Sequence, residues 1–402
     1  MKKSIIILLS YYLLQGIIHN LGHPITPSYV DELDIEKYMF GFFFAGMSFG
    51  QVLGAPFWGL LGDKRGKRTL IVMGLVIYSV GQVLFAVFTN PVLLVFARIL
   101  AGFGVSAHIT LVLSHLIAKS PEKDRTKFIA WSAALFAVGT TFGYQIGGML
   151  SEYMIKEVFF VQAAVNIGLA LFIAFTIGND VPEEEAGPVK RKAGYIQSFK
   201  NIKKLNGSLL VFLLALTLTT ISASTLTKYF DVYVIDQGYT PRQLGNFIFV
   251  TGIAGLLTNI FITPKLARLN KDRLIMKIIQ VISALIVFYV FRQNALMLTL
   301  YTVFIFYFVL KNMFQPFEQS FISKTADRKS YGTIMGIRQS FFMLGNVIGP
   351  IISGFIYDYN PLRMFDVSAF MFLGAFILMI VSERMAKRES SEMAFKVEPE
   401  TA

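Results

Sequence analysis

The chain has 402 residues, of which 54% are hydrophobic and only 15% are charged, and its formal net charge is +12. A soluble domain carries about 25% charged residues, so much of this chain's surface must face something other than water. The basic residues lie in short clusters between apolar runs, which does not suit nucleic-acid binding, and the lack of cysteine excludes thiol catalysis, disulfides and cysteine-ligated metals.

Twelve apolar runs are each long enough to cross a bilayer, which takes about 20 residues of α-helix. The first run follows Met1-Lys2-Lys3 and looks like a signal peptide, but no small-residue cleavage site follows it, so we interpret it as a span. The predicted spans cover residues 5–29, 39–61, 70–89, 92–118, 128–153, 159–177, 208–230, 244–263, 274–291, 295–322, 333–357 and 364–381. The sequence therefore predicts an all-α membrane protein with twelve transmembrane helices.

Lysine and arginine are unevenly distributed between the two sides of these spans. Most of the 37 basic residues lie in the loops and termini of one side, and the loops of the opposite side hold only Lys37, Lys156, Arg242, Arg292 and Arg363. Cytoplasmic loops of membrane proteins carry the excess of positive charge. We therefore expect a multi-pass protein of the cytoplasmic membrane with both termini on the cytoplasmic side.

The second half of the chain repeats the first. Shifts of about half the chain length superpose Gly41 on Gly245, Gly139 on Gly345, Gly143 on Gly349 and Gly148 on Gly354. Parallel repeats of six spans are one architecture of secondary transporters, whose substrate binds near the bilayer midplane between the halves. We predict an N-terminal six-helix half (1–178), a cytoplasmic linker (179–206), a C-terminal six-helix half (207–382) and a cytoplasmic tail (383–402).

The loop between the second and third spans reads Gly-Leu-Leu-Gly-Asp-Lys-Arg-Gly-Lys-Arg over residues 59–68. A preference for basic residues on the cytoplasmic side explains its lysines and arginines, but neither its acid nor its glycines. The loop resembles a motif of the major facilitator superfamily, and more narrowly of its drug:proton antiporters. The resemblance implies the major facilitator fold and a conformational latch in which the acid interacts with the start of the eleventh span, near residues 330–332. The latch residues would be Gly59, Asp63, Arg65, Gly66 and Arg68.

Arg98 begins a stretch in the fourth span, Arg-Ile-Leu-Ala-Gly-Phe-Gly, that resembles another motif of the family. The resemblance implies that Arg98 takes part in proton coupling. A lone arginine inside a span costs roughly 2.5 to 3.5 kcal/mol, so it needs a partner or a wet cavity. The alternative is that Arg98 reaches the outer membrane surface, which lies about 10 Å away at 1.5 Å per residue.

The fifth span resembles the glycine pattern of antiporters, with one departure. The matching glycines are Gly139, Gly143, Gly147 and Gly148. Tyr144 stands where the family usually has proline, whereas the eleventh span keeps Gly345 and the dipeptide Gly349-Pro350. The departure weakens the antiporter interpretation without affecting the predicted fold.

Four histidines lie in two spans of the first half. His19 and His23 are four residues apart, and His108 and His115 are seven apart, so each pair shares a helix face. Histidine titrates near neutral pH and can carry a transported proton. A metal site and neutral, hydrogen-bonded histidines are the alternatives, although no acid or cysteine accompanies the histidines to favour a metal.

Two spans of the second half carry further charged candidates. In the tenth span, Lys311, Gln315 and Glu318 form one polar stripe, and Glu318 is the most deeply placed carboxylate of the chain. Glu318 is predicted to couple protons or recognise a cation, or else to form a static ion pair with Lys311 or Arg338. In the seventh span, a polar stripe is predicted to face the cavity, and it consists of Thr217, Thr220, Ser224, Lys228 and Asp231.

These observations favour a proton-coupled exporter of small amphipathic compounds that works by alternating access. A major facilitator carrier of a defined nutrient, metabolite, sugar or lipid is the nearer alternative, and a non-transporting receptor or scaffold is the more distant one. No ATP-binding loop or catalytic constellation is present, so we predict no enzyme activity, no cofactor and no metal. The expected partners are the lipid bilayer, a small-molecule substrate and protons, with the chain acting as a monomer and without nucleic acid.

Overall fold

A computed structural model of the chain describes residues 2–62, 65–178, 205–325 and 331–397. Within these ranges the regular structure is helical, without β-strands. The predicted linker falls outside the described residues except for its last two positions, and so does Asp63. The long helices α1 to α12 are Lys2–Asn20, Met39–Gly62, Lys67–Val87, Pro91–Lys119, Arg125–Leu150, Glu157–Thr176, Gly207–Asp236, Pro241–Leu257, Asp272–Val290, Ile305–Thr325, Tyr331–Tyr359 and Pro361–Val397.

The twelve predicted spans are confirmed as helices. Ten of the described helices are long and apolar enough to cross a membrane. Together with α1 and α5 they account for the twelve predicted spans. Helix α8 continues through a π-helical turn at Thr258–Ile262 into Thr263–Ala267, and α10 is preceded by Leu296–Thr299 and a π-helical turn at Leu300–Phe304. The large apolar side chains that face outward, such as Val92 at 72% and Phe175 at 86% exposure, suit a surface in contact with lipid.

The first span differs from its prediction, because the helix predicted over residues 5–29 is interrupted. Helix α1 ends at Asn20, and a separate short helix, Thr26–Glu32, follows. Pro24 lies in the interruption, where its missing N–H prevents the helical hydrogen bond to residue 20. As a consequence, His23 lies beyond the end of α1 rather than on one helix face with His19.

The last helix is also longer than the predicted span, because polar contacts support its continuation to Val397. Lys277 of α9 pairs with Glu383 at 2.8 Å. At the start of α7, the Ser208 hydroxyl donates to Glu389 at 2.6 Å and the Ser208 N–H donates to the same carboxylate at 3.0 Å. A carboxylate in this position satisfies a free N–H and interacts favourably with the positive end of the helix dipole.

The described residues form two compact units. The first unit contains residues 2–62, 65–178, 227–257 and 350–359, and its apolar core includes Leu8, Ile71, Leu111 and Ile173. The second unit contains residues 205–226, 258–325, 331–349 and 360–397, and its core includes Phe212, Ile279, Phe317 and Ile337. The first unit therefore includes all of α8 and the ends of α7 and α11, which belong to the second half of the chain.

Glycines set the closest helix contacts within each unit. In the first unit, Gly139 and Gly143 of α5 lie against the backbone of α1. In the second unit, their repeat partners Gly345 and Gly349 of α11 lie against α7 in the same way. Small residues let helix backbones approach closely in a membrane. The glycine repeat therefore marks equivalent helix pairs, α1 with α5 and α7 with α11.

Gly139→Ala is expected to lower the stability of the folded protein by about 1–3 kcal/mol, the usual cost of overpacking. The added Cβ would lie only 3.0 Å from the backbone nitrogen of Ile17 and would meet the backbone oxygen of Leu13. The measurement is the apparent Tm of the purified protein in detergent. Gly168→Ala is the matched control, because nothing lies within 4 Å of its Cβ position and the variant should keep the wild-type Tm. Equal melting temperatures for the two variants would contradict the prediction.

Candidate substrate cavity

The first unit contains a cavity of about 100 Å³ with both polar and aromatic walls. It is lined by residues of α1 and the segment that follows it, and of α2, α3, α4, α6 and α7. The lining residues are His19, Gly22, His23, Thr26, Phe43, Phe44, Met47, Ser48, Gln51, Tyr78, Gln82, Arg98, Gln162 and Lys228. A cavity of this size holds several waters or one small polar group, and is below the roughly 300–1,000 Å³ of a drug-sized pocket.

Arg98 lies at the cavity wall and is held by neighbouring side chains. It is 9% exposed, donates a hydrogen bond to the Gln82 side-chain oxygen at 3.0 Å, and stacks 3.6 Å from the centre of the Phe85 ring. Gln82 in turn donates to Tyr78 and to Gln162, each at 2.8 Å. Arg98 therefore has an amide and aromatic environment instead of reaching the membrane surface.

Only two of the four histidines line the cavity. His19 stacks on Tyr78 with ring centres 5.5 Å apart, and His23 stacks on Tyr144 at the same separation. His108 lies away from the cavity next to Gln15, with 3.5 Å between their side-chain nitrogens, and His115 is buried further along α4. The described residues contain no group of three or more His, Cys, Asp or Glu side chains that could hold a metal ion.

Lys228 and Asp231 of α7 lie next to the histidines. The Lys228 ammonium group is 4.5 Å from the centre of the Phe44 ring, and Asp231 attracts its charge from one helical turn away. Asp231 is buried and accepts a hydrogen bond from the Tyr144 hydroxyl at 3.1 Å. The residue that departs from the family pattern, Tyr144, thus connects α5 to the charged end of α7.

The hydroxyl groups of the α7 stripe do not line this cavity. Within the second unit, Thr217 donates to Leu213 O at 3.1 Å, and Ser224 donates to Ile221 O at 3.0 Å. Both hydroxyls also approach backbone oxygens of α11. Hydroxyl groups in a helix often bond back to their own backbone in this way. Of the predicted stripe, Lys228 alone is a lining residue of the described cavity.

Glu318 forms an ion pair with Arg338 in the second unit. The Arg338 guanidinium donates to both carboxylate oxygens of Glu318, at 2.9 and 2.5 Å, and Glu318 is fully buried. Of the two partners considered from the sequence, the structure therefore selects Arg338. Lys311 is half-buried, and its ammonium group lies 5.6 Å from the centre of the Phe308 ring.

A charged cluster joins the loop before α2 to the ends of α7 and α11 in the first unit. Lys37 pairs with Asp31 and, at 2.8 Å, with Asp236, which also accepts a hydrogen bond from Tyr357 at 2.7 Å. Burial lowers the pKa of Lys37, but its hydrogen bonds to Asp236 and Asp31 outweigh burial and raise the pKa above its usual value. Lys37 therefore keeps its charge at physiological pH.

Part of the predicted latch can be located. Gly59 lies in the last turn of α2, where its Cβ position is 3.8 Å from the Thr110 methyl group. Arg65 and Gly66 lie between α2 and α3, and Arg68 is 3.4 Å from the carbonyl oxygen of Ile177. Asp63 and Ser330 lie outside the described residues, so the latch contact itself stays a prediction.

Two buried amides of the cavity network, Gln82 and Gln162, were not singled out from the sequence. Both lie inside apolar spans and are at most 2% exposed, and Gln162 also donates to the backbone oxygen of Ile18 at 2.6 Å. A buried amide needs hydrogen-bond partners, so any glutamine in the middle of a span indicates a polar network. The glutamines inside the third and sixth apolar spans are that signal in the sequence.

The described residues contain twelve long helices, two pairs of which are equivalent in the repeat, and the first unit holds a polar cavity. These features are typical of a multi-pass membrane transporter. The family model for the Major Facilitator Superfamily matches residues 7–310, and the chain belongs to this family of transporters. The chain is 25% identical over 397 residues to Multidrug resistance protein 2 of Bacillus subtilis (strain 168), a match covering 96% of this chain and 98% of the relative.

Two further similarities extend over nearly the whole chain. Identity to the Quinolone resistance protein NorA of Staphylococcus aureus (strain MSSA476) is 25% over 403 residues, covering 98% of this chain and all of the relative. The crystal structure of the nucleoside transporter NupG superposes with a TM-score of 0.74 at 14% identity, covering 95% of this chain and 99% of that structure. The predicted family and fold are confirmed.

Proposed function

We propose that this chain exports small amphipathic, drug-like compounds in exchange for protons, by alternating access. The observation that carries the proposal is the end-to-end similarity to two bacterial proteins whose names record multidrug and quinolone resistance. The cavity, where aromatic rings adjoin amide and charged groups, has the mixed walls that suit amphipathic molecules.

The proposal includes a proton pathway and a latch. Arg98, His19 and His23 lie at the cavity and are the nearest candidates for coupling, with Asp231 beside them. Glu318 is a second candidate in the other unit. Asp63 and its neighbours would act as a latch between conformations, as the family motif implies.

We also propose the topology predicted from the sequence: two six-helix halves joined by a cytoplasmic linker, with both termini cytoplasmic and the chain functioning as a monomer. The distribution of lysine and arginine supports the orientation. The bacterial relatives support a location in the cell membrane.

A carrier of one defined nutrient or metabolite is the second candidate. The observation that favours it is Tyr144, which occupies the place of the antiporter proline and fixes its hydroxyl on Asp231. A helix with tyrosine here keeps its full backbone hydrogen bonding, whereas proline would remove one donor. A more rigid fifth helix and a polar contact beside the cavity suit a narrower choice of substrate.

Purified protein in proteoliposomes with an acidic interior is expected to accumulate several unrelated amphipathic fluorescent compounds. The panel should contain a cation, an anion and a zwitterion, because the proposed function does not depend on the sign of charge. Accumulation should disappear when an ionophore dissipates the pH gradient. Uptake confined to a single nutrient class would favour the second candidate, and no uptake of any compound would favour a receptor.

A further inference from the structure

The charge of the cavity wall points to the substrate class. Arg98 and Lys228 are the two ionised side chains among the lining residues of the described cavity, and none of those residues is an aspartate or glutamate. An ionised group inside a membrane protein is expensive unless a counter-charge or water accompanies it. The sign of the uncompensated charge therefore indicates the sign of a ligand that would bind there.

Arg98 is not neutralised by any described residue. In the described part of the chain, no carboxylate lies within 4.0 Å of its guanidinium group, whose neighbours are the Gln82 amide and the faces of Phe85 and Phe159. An amide oxygen and ring faces stabilise a cation without cancelling its charge. One full positive charge therefore stays at this wall.

Lys228 has one carboxylate to offset its charge. That carboxylate is Asp231, which also accepts a hydrogen bond from the Tyr144 hydroxyl. Even if Asp231 is counted fully against Lys228, the group of Arg98, Lys228 and Asp231 keeps one positive charge in excess. Asp231 is also absent from the lining, so a ligand meets the ammonium group and not the acid.

The aromatic residues of the cavity wall indicate the chemistry of the uncharged part of the ligand. Phe43, Phe44 and Tyr78 make part of the cavity wall aromatic, while its volume of about 100 Å³ accommodates a small charged group. Aromatic rings bind other rings with favourable stacking geometry. A carboxylate or sulfonate attached to an aromatic ring would match both the charge and the surfaces.

We infer that this transporter recognises amphipathic aromatic anions, with Lys228 and Arg98 binding the anionic group. The inference rests on the proposed export function and narrows its substrate class. It differs from a preference for lipophilic cations, which an acidic side chain at the cavity wall would favour.

The test uses probes of fixed charge, because weak acids and bases cross bilayers in their neutral forms. Calorimetry on the purified full-length protein compares naphthalene-2-sulfonate, (2-naphthylmethyl)trimethylammonium and inorganic sulfate. Naphthalene-2-sulfonate is expected to bind at least about tenfold more tightly than the cation, because hydrogen bonds that involve charged groups are stronger than those between neutral groups. Equal or tighter binding of the cation would overturn the inference, and equal binding of inorganic sulfate would overturn its aromatic part.

Three variants separate recognition from structure. Lys228→Gln is expected to weaken sulfonate binding about tenfold, and Lys228→Arg should largely preserve it, because a charged donor contributes more than a neutral one. Asp231→Asn keeps an acceptor for Tyr144 but removes the competing negative charge, so it should bind the sulfonate at least as tightly as the wild type. If Lys228 and Asp231 formed only a structural pair, both neutral variants would weaken binding alike, and that result would contradict the inference.

Transport distinguishes this inference from the proposed function. In acid-loaded proteoliposomes the wild-type protein is expected to accumulate the sulfonate in preference to the cation. Accumulation of the cation alone would disprove anion recognition and leave drug export standing. If neither probe nor any compound of the amphipathic panel moved with folded protein, the export function itself would fall, and the inference with it.

Discussion

Arg98→Ala is expected to reduce pH-gradient-driven uptake of an amphipathic substrate by about tenfold to a hundredfold, the range that corresponds to the loss of a charge-assisted hydrogen bond. Arg98 is the buried cation that connects the cavity to the Gln82, Gln162 and Tyr78 network. Its removal deletes the charge and leaves the Gln82 oxygen without its donor. The measurement is the initial rate of uptake into acid-loaded proteoliposomes at matched protein content.

The role in coupling can be separated from a role in binding. At saturating substrate, exchange between equal internal and external pools needs no proton movement, so Arg98→Ala should still support it. Arg98→Lys should recover part of the gradient-driven rate, because the charge returns without the planar group that stacks on Phe85. Arg242→Ala is a suitable control, because Arg242 pairs with Glu152 at the exposed surface. This variant should transport at the wild-type rate. Full gradient-driven uptake by Arg98→Ala would remove Arg98 from the proton pathway.

The spans were predictable because the membrane imposes one local rule on each of them. A helix that crosses lipid must satisfy its backbone hydrogen bonds internally and expose apolar side chains, and both requirements are visible in a run of about 20 residues. The rule does not predict the ends of helices where a residue such as proline interrupts the helix, or where a helix continues beyond the lipid. Pro24 divides the first span, and Glu389 lets the last helix continue far beyond its apolar part.

The cavity was only partly predictable, because its residues come together through tertiary packing. Arg98, His19 and His23 were predicted from their unusual positions inside spans, and the structure places all three at the cavity. The same reasoning also selected His108 and His115, which the fold buries among other residues. Sequence spacing gives the face of a helix that a residue occupies, but not which other helix covers that face.

Tyr144 shows what a departure from a family pattern can contribute. In the sequence it is only a tyrosine where the family usually has proline, and this difference weakens the antiporter interpretation. In the structure its hydroxyl bonds Asp231 while its ring stacks on His23, so it connects two predicted site residues. The partner of Tyr144 is more than eighty residues away along the chain, and no local pattern could have named it.

Replacing Arg338 with methionine is expected to cost about 3–5 kcal/mol of stability, the penalty for leaving a buried charge without its partner. Glu318 is fully buried, and both of its oxygens accept hydrogen bonds from Arg338. The apparent Tm in detergent measures this loss. Lys277→Ala, which breaks the more exposed pair with Glu383, should change stability by at most about 1 kcal/mol.

The double variant Glu318→Leu/Arg338→Met distinguishes a role of the ion pair in proton coupling from a purely structural role. Replacing a buried ion pair by apolar residues of similar size is often neutral or stabilising, so the double variant should recover much of the lost Tm. If Glu318 couples protons, this stable protein will still exchange substrate but will not respond to a pH gradient. Gradient-driven uptake at the wild-type rate would instead identify the Glu318–Arg338 pair as a structural element and leave coupling to the cavity around Arg98.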